Sequence, residues 1–192
     1  MSDDAQKPVE RTTLWLILAV CLAPFIASIL AYLWWEPENH VNYGALLPPR
    51  PLPAARLVLP DGSPFELAQL RGKWVFVTVD SGGCDEYCRQ KLWKIRQVRR
   101  AQGKYMERIE RLWLVSDDAK PDPAVLKEYE GTYAATAAGS PILAELPFEA
   151  AQRDHIYLVD PLGNVMMRYP LDADPSRMRK DLVRLLKVSQ IG

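Results

Sequence analysis

Hydrophobic and polar positions change rhythm along this chain. From Thr12 to Trp35 there are 24 residues without a charge, TTLWLILAVCLAPFIASILAYLWW. At about 1.5 Å per residue such a helix crosses a hydrocarbon layer roughly 30 Å thick. Residues 12–35 are therefore predicted to form a transmembrane helix, with Pro24 as a kink and Trp34 and Trp35 as an interfacial belt. A cleaved signal peptide has a shorter apolar stretch, about 7–15 residues, and ends at a small-x-small site that does not follow here. Residues 36–53 carry prolines and no sustained period. They read as a semi-extended tether between the membrane and a domain over 54–192.

Beyond the tether, period-two and period-3.6 segments alternate. RLVLPDGSPFEL has the form of a hairpin turning at Asp61-Gly62, and Trp74 to Val79 is an aromatic and β-branched strand. Leu92, Ile95 and Val98 recur at helical spacing, which predicts a helix that begins near Cys84 and runs to about Arg100. A second strand is expected over 111–118 and a helix over 123–130. HIYLVDPLGNVMMRYP at 155–170 reads as two strands around an Asp-Pro-Leu-Gly turn. Asp174-Pro175 then opens a last helix, with Met178, Leu182, Leu185 and Leu186 on one side. This order predicts an α/β fold with a central mixed sheet flanked by helices, and the thioredoxin arrangement is its candidate.

Charge adds topology. Lysine plus arginine equals aspartate plus glutamate at 24 each, so net charge names no partner. Lys7 and Arg11 precede the apolar run, whereas the stretch after it holds Glu36 and Glu38 and no cation before Arg50. The positive-inside rule places residues 1–11 in the cytoplasm and the domain outside. A bacterial inner membrane with a periplasmic domain is the simplest setting, and it excludes nucleic acid as a partner. Between Arg89 and Arg111 there are nine lysines and arginines against Glu107 and Glu110. A solvated helix face accounts for most of them; docking on an acidic partner or anionic headgroups is the other use.

Three cysteines are too few to staple a scaffold of this size. Cys21 lies in the apolar run and reads as a small apolar residue. Cys84 and Cys88 stand in DSGGCDEYC, where a strand empties through two glycines into a helix start. Unpaired N–H groups and the helix dipole there favour thiolate over thiol, and Arg89, Lys91 and Lys94 add to the trend. Three uses remain open: a redox pair, a metal clamp or inert packing, the last disfavoured by Asp85 and Glu86. Across i and i+4 of a regular helix the Cβ atoms lie about 5–6 Å apart. A disulfide wants about 3.5–4.5 Å, so closure requires a distorted first turn. A shared soft ion such as Cu(I) relaxes that demand, and the spacing tilts toward metal. A third ligand would come from histidine. His40 falls in the tether and reads as a solvated loop residue. His155 opens a strand beside Asp154, a partner for its imidazole, and is balanced between ligand and structural roles. Met166 and Met167 face opposite ways, so at most one could join a site.

These strings, LPDGSPFELAQLRGKWVFVTVDSGGCDEYC, ERLWLVSDD and DHIYLVDPLGNVMMRYP, resemble the Sco/SenC family of membrane-anchored, thioredoxin-like proteins that assist assembly of cytochrome c oxidase. DHIYLVDPLGN followed by MMRYP is similar, more narrowly, to the small Sco-related transmembrane proteins of proteobacterial oxidase operons. The resemblance implies copper handling through two cysteines and a distal histidine, here Cys84, Cys88 and His155, with Cys84 as the more exposed thiolate. It implies delivery of Cu(I) to, or thiol reduction at, the copper site of oxidase subunit II. Asp85 stands where the family commonly has proline. Gln152 stands where its histidine usually falls, so His155 reaches the cysteine side only across a bulge. The alternatives are a thiol-disulfide oxidoreductase that needs no copper, with Cys84 and Cys88 as its redox pair, and a non-catalytic docking module.

Overall fold

The computed structural model describes residues 11–34, 42–148, 151–170, 172–189 and 191. It divides into two compact units, residues 1–41 and 42–192. The first holds helix α1, Arg11–Trp34, which is long and apolar enough to cross a membrane and exposes its leucine, isoleucine and tryptophan side chains. Trp35 and His40 lie outside the described residues.

The second unit is built on one eight-stranded mixed sheet. Its strands are β1 (Ala45–Pro51), β2 (Arg56–Val58), β3 (Pro64–Glu66), β4 (Trp74–Asp80), β5 (Ile109–Val115), β6 (Tyr133–Thr136), β7 (His155–Val159) and β8 (Asn164–Pro170). Their order across the sheet is β1-β8-β7-β4-β5-β6-β2-β3. β4, β5 and β6 run parallel, and β7 lies antiparallel to β4. All seven residues of β4 are buried, as expected of a central strand covered on both faces. On one face lie α2 (Glu86–Arg100), α3 (Pro123–Glu128) and α5 (Pro175–Val188). Leu92, Ile95 and Val98 of α2 meet Phe76, Ile156 and Leu158 of the sheet in the cluster on this side. Each such aliphatic, fully buried, contributes about 1.5–3 kcal/mol. The other face, with Val75, Val77, Tyr157 and Val159, is covered by Leu67 and Leu70 of a 3-10 turn and by Ile142 of the short helix α4 (Pro141–Ala144).

The tether expected over 36–53 is corrected in its second half, because Ala45–Pro51 forms an edge strand against β8. Pro48 and Pro49 have no N–H to give, and the register shifts where they stand, between Leu46 and Arg50. An edge strand needs only one side of its ladder, which is why proline is tolerated there. Buried Asp181 of α5 fixes the entry to this strand, accepting the Tyr43 and Gly44 amides at 2.9 Å each through Oδ2. A side chain at Gly44 would meet Met167 and Tyr169 within 2.7 Å.

Candidate functional site

β4 ends at Asp80, and the chain turns through Ser81, Gly82 and Gly83 before α2. The Cys84 amide donates back to the Ser81 carbonyl at 3.1 Å, and the Gly82 amide donates to Asp117 Oδ1 at 2.9 Å. Cys84 itself has φ +34°, the left-handed region that side chains avoid. Asp85 is the N-cap of α2, its Oδ1 accepting the Cys88 amide at 3.0 Å. Cys84 therefore lies outside the helix and Cys88 in its first turn. The two Cα atoms are 5.1 Å apart and the sulfurs form a disulfide.

The distorted first turn that a disulfide requires is present here. The regular-helix spacing does not apply, because the left-handed residue and the N-cap swing Cys84 across the helix start toward Cys88. Both cysteines lie inside the apolar cluster beneath α2, Cys84 with 3% exposure and Cys88 with 1%. His155 is half-buried at the start of β7. Its ring stands edge-on to Tyr157 at 5.9 Å, and Tyr157 belongs to the opposite face of the sheet from both cysteines. No bulge intervenes between His155 and the residues pairing it to β4, so alternation along the strand keeps it on that far side. Gln152 turns to carbonyls of Leu143 and Leu146. Among the described residues no group of three histidine, cysteine or acidic side chains could hold a metal. The expected set of Cys84, Cys88 and His155 is not brought together. Met167 is core, as expected for one of the two methionines.

A charged network surrounds the disulfide instead. Lys91, fully buried, pairs with buried Asp80 at 2.7 Å and donates to the carbonyls of Val79 at 2.9 Å and Arg153 at 2.6 Å. All three ammonium protons have acceptors, although burial still pushes the Lys91 pKa down against the pull of Asp80. Arg153 bridges Asp80 and Asp85, at 2.9 Å to each. Tyr87 donates its hydroxyl to Asp154 at 2.9 Å and sits under the Arg153 guanidinium at 4.8 Å. Burial and then this bond to Asp154 push the Tyr87 pKa up. The sequence pattern offers Lys91 as a cation favouring the thiolate and as part of a basic helix face, and Asp154 as a partner of His155. The overlooked signal was a lone lysine on the apolar stripe of Cys88, Leu92 and Ile95, together with a lone acid ending a buried strand.

The Cys88 amide, and then Arg153, hold the Asp85 carboxyl below the usual carboxylate range. Between that lowered value and the ordinary one the unfolded chain binds more protons, so this contribution is present above the ordinary value and lost on acidification. Asp85→Asn keeps an N-cap acceptor but removes the titration, whereas Asp85→Ala also loses the cap, about 1 kcal/mol. The ion pair adds little, because Arg153 and Asp85 remain 44% and 59% exposed. In urea unfolding of the full-length protein, Asp85→Asn is expected to flatten the acid limb between about pH 2 and 5. Superimposable limbs for wild type and Asp85→Asn refute this account.

A family model described as transmembrane-like, thioredoxin-like, C-terminal domain matches residues 74–189. The chain belongs to this family. Among curated proteins none matches its sequence. The transmembrane-like thioredoxin-like domain is similar to solved structures that share its fold. Yeast Sco1 with copper bound is 20% identical, with a TM-score of 0.60 over 74% of this chain and 96% of that one. Bradyrhizobium japonicum ScoI with copper bound is 20% identical, with a TM-score of 0.55 over 70% of this chain and 99% of that one. The thioredoxin domain of a thiol-disulfide oxidoreductase from Bacteroides vulgatus is 17% identical, with a TM-score of 0.56 over 73% and 99% of the two chains. The apolar helix fits a single-pass anchor for this domain.

Proposed function

We propose that the protein is a membrane-anchored thiol-disulfide protein, facing the periplasm, that keeps the copper-site thiols of cytochrome c oxidase subunit II reduced during assembly. One observation carries this reading: Cys84 and Cys88 close on each other while His155 stays on the far side of the sheet. The donors at hand support sulfur exchange better than a three-ligand copper site. The likeness of residues 54–188 to Sco/SenC proteins supports the choice of partner, and Lys7 and Arg11 before the span support the orientation.

In the reduced form the Cys84 thiolate attacks one sulfur of a partner disulfide, giving a mixed disulfide and a partner thiolate that takes up a proton. Cys88, deprotonated, then attacks the Cys84 sulfur and releases the second partner thiol. Two electrons pass to the partner and the Cys84–Cys88 disulfide remains. An upstream dithiol donor restores the reduced pair. The copper-bound relatives support a second reading, in which the same two sulfurs carry Cu(I) as cargo without His155.

Reduced full-length protein in maltoside micelles is mixed anaerobically with an oxidised peptide of the subunit II copper-site loop, and both partners are followed by mass spectrometry. Stoichiometric reduction of the peptide, lost in Cys84→Ser, is expected. No exchange, with one-to-one Cu(I) binding that Cys84→Ser abolishes, overturns exchange in favour of copper carriage. Full oxidase assembly by the double Cys84→Ser, Cys88→Ser variant in a deletion strain overturns both in favour of docking alone.

A further inference from the structure

Away from the disulfide, a cleft of about 300 Å³ opens between the C-terminal half of α2, the start of β5 and the end of α3. Arg111 at its floor pairs with Phe76, four positions along β5 from the Val115–Asp80 pair beside the cysteine loop. At about 3.3 Å per residue that is roughly 13 Å away. Five cations line the cleft, Arg96, Arg99, Arg100, Arg111 and Lys127, against the two acids Glu128 and Glu130. The Glu128 carboxylate is drawn toward Arg89, which does not line the cleft.

Main-chain carbonyls, which fix geometry but leave charge in place, hold three of these guanidinium groups. Arg96 Nη1 donates to the Glu128 carbonyl at 2.9 Å, Arg99 Nε to that of Ile109 at 2.6 Å and Arg111 Nη2 to that of Glu130 at 2.7 Å. Arg111 is only 4% exposed. Its Nε and Nη1 are buried and have no hydrogen-bond partner among the described residues. Gly131, at φ +78°, lets the chain close over it, since a Cβ there would stand 3.0 Å from Arg111 Nη2. Burial, and then Arg99 and Arg96, push the Arg111 pKa down to about 10. A buried guanidinium with open donors, crowded by like charges, is costly unless an anion neutralises it. The Nη2 proton not given to Glu130 forms, with the open N–H beside it, a planar edge that matches two oxygens of a single oxyanion, and the walls supply further charge.

We propose that this cleft binds a phosphate group, with Arg111 as the fork at its floor and Arg96, Arg99 and Arg100 as its walls. The group belongs either to free phosphate or to a phospholipid headgroup. The test uses the full-length protein in maltoside micelles, which contain no phosphate, at constant ionic strength in chloride. Inorganic phosphate is titrated while the arginine Nε–H resonances are followed, and a second titration adds phosphatidylglycerol to the micelles. A saturable shift of the Arg111 resonance is expected. Movement with phosphate alone assigns the free ion, and movement with phosphatidylglycerol at lower concentration, in competition with phosphate, assigns the headgroup. Charge-assisted bonds of this kind predict at least about tenfold weaker binding in Arg111→Gln. The rim variant Arg100→Gln, which leaves the buried fork in place, is expected to weaken binding severalfold, and Arg179→Gln, an exposed position on α5, not at all. No saturable shift with either source overturns the proposal, as does undiminished affinity in folded Arg100→Gln and Arg111→Gln. Binding of polyglutamate without binding of phosphate also overturns it, in favour of an acidic protein surface.

Discussion

Lys91→Met lowers the stability of the domain by about 3–5 kcal/mol, the usual loss when one partner of a buried ion pair is removed. Asp80 retains 2% exposure and is left with Arg153, itself half in solvent, as its counter-ion. The substitution also strands the Val79 and Arg153 carbonyls that Lys91 now satisfies. A double variant, Asp80→Leu with Lys91→Met, recovers part of the loss, because a buried pair replaced by apolar groups no longer carries an unmatched charge. Equilibrium urea unfolding of wild type, both single variants and the double variant closes the cycle. A Lys91→Met loss below about 1 kcal/mol, with no coupling to Asp80, contradicts the assignment of this pair as the electrostatic anchor beneath the disulfide loop.

The second large effect comes from a methyl group. Gly82→Ala places a Cβ 1.8 Å from the Ala119 carbonyl oxygen and 2.6 Å from its carbon. Neither atom belongs to a flexible side chain, so one of the two loops must move. We expect a loss of about 2–3 kcal/mol, the upper range for overpacking. Gly83→Ala is the internal control, since its Cβ meets only Ser81 Oγ at 3.5 Å. It is expected to stay within about 0.5 kcal/mol of wild type. Because Gly82 lies two residues before Cys84, Gly82→Ala also shifts the dithiol-disulfide equilibrium measured against glutathione, whereas Gly83→Ala does not. Equal behaviour of the two alanine variants defeats the argument from close approach.

Periodicity made most of the sheet and helices legible. The apolar run of β4, the stripe of α2, the Asp-Pro-Leu-Gly turn between β7 and β8 and the Asp-Pro start of α5 all stand where the pattern placed them. Tyr133–Thr136 escaped notice because its two central alanines carry no strand preference of their own; parallel pairing with β5 makes it a strand. Proline hid β1, since composition does not distinguish a solvated tether from an edge strand. The cysteine pair is visible, but its close approach rests on one left-handed residue that Cβ spacing in a regular helix cannot anticipate. His155 was legible in the opposite sense: the parity that set it apart from Gln152 placed it behind the sheet.

The two outer strands have a consequence for how a partner is held. β1 carries three prolines at one rim, and β3 is three residues long at the other. Neither rim offers a continuous row of amides to an extended peptide, so strand addition to the sheet is closed as a mode of capture. An extended partner in the proposed thiol exchange must instead be gripped by side chains near the cysteines, and selectivity then resides in groups such as Tyr87 and Arg153 rather than in main-chain complementarity.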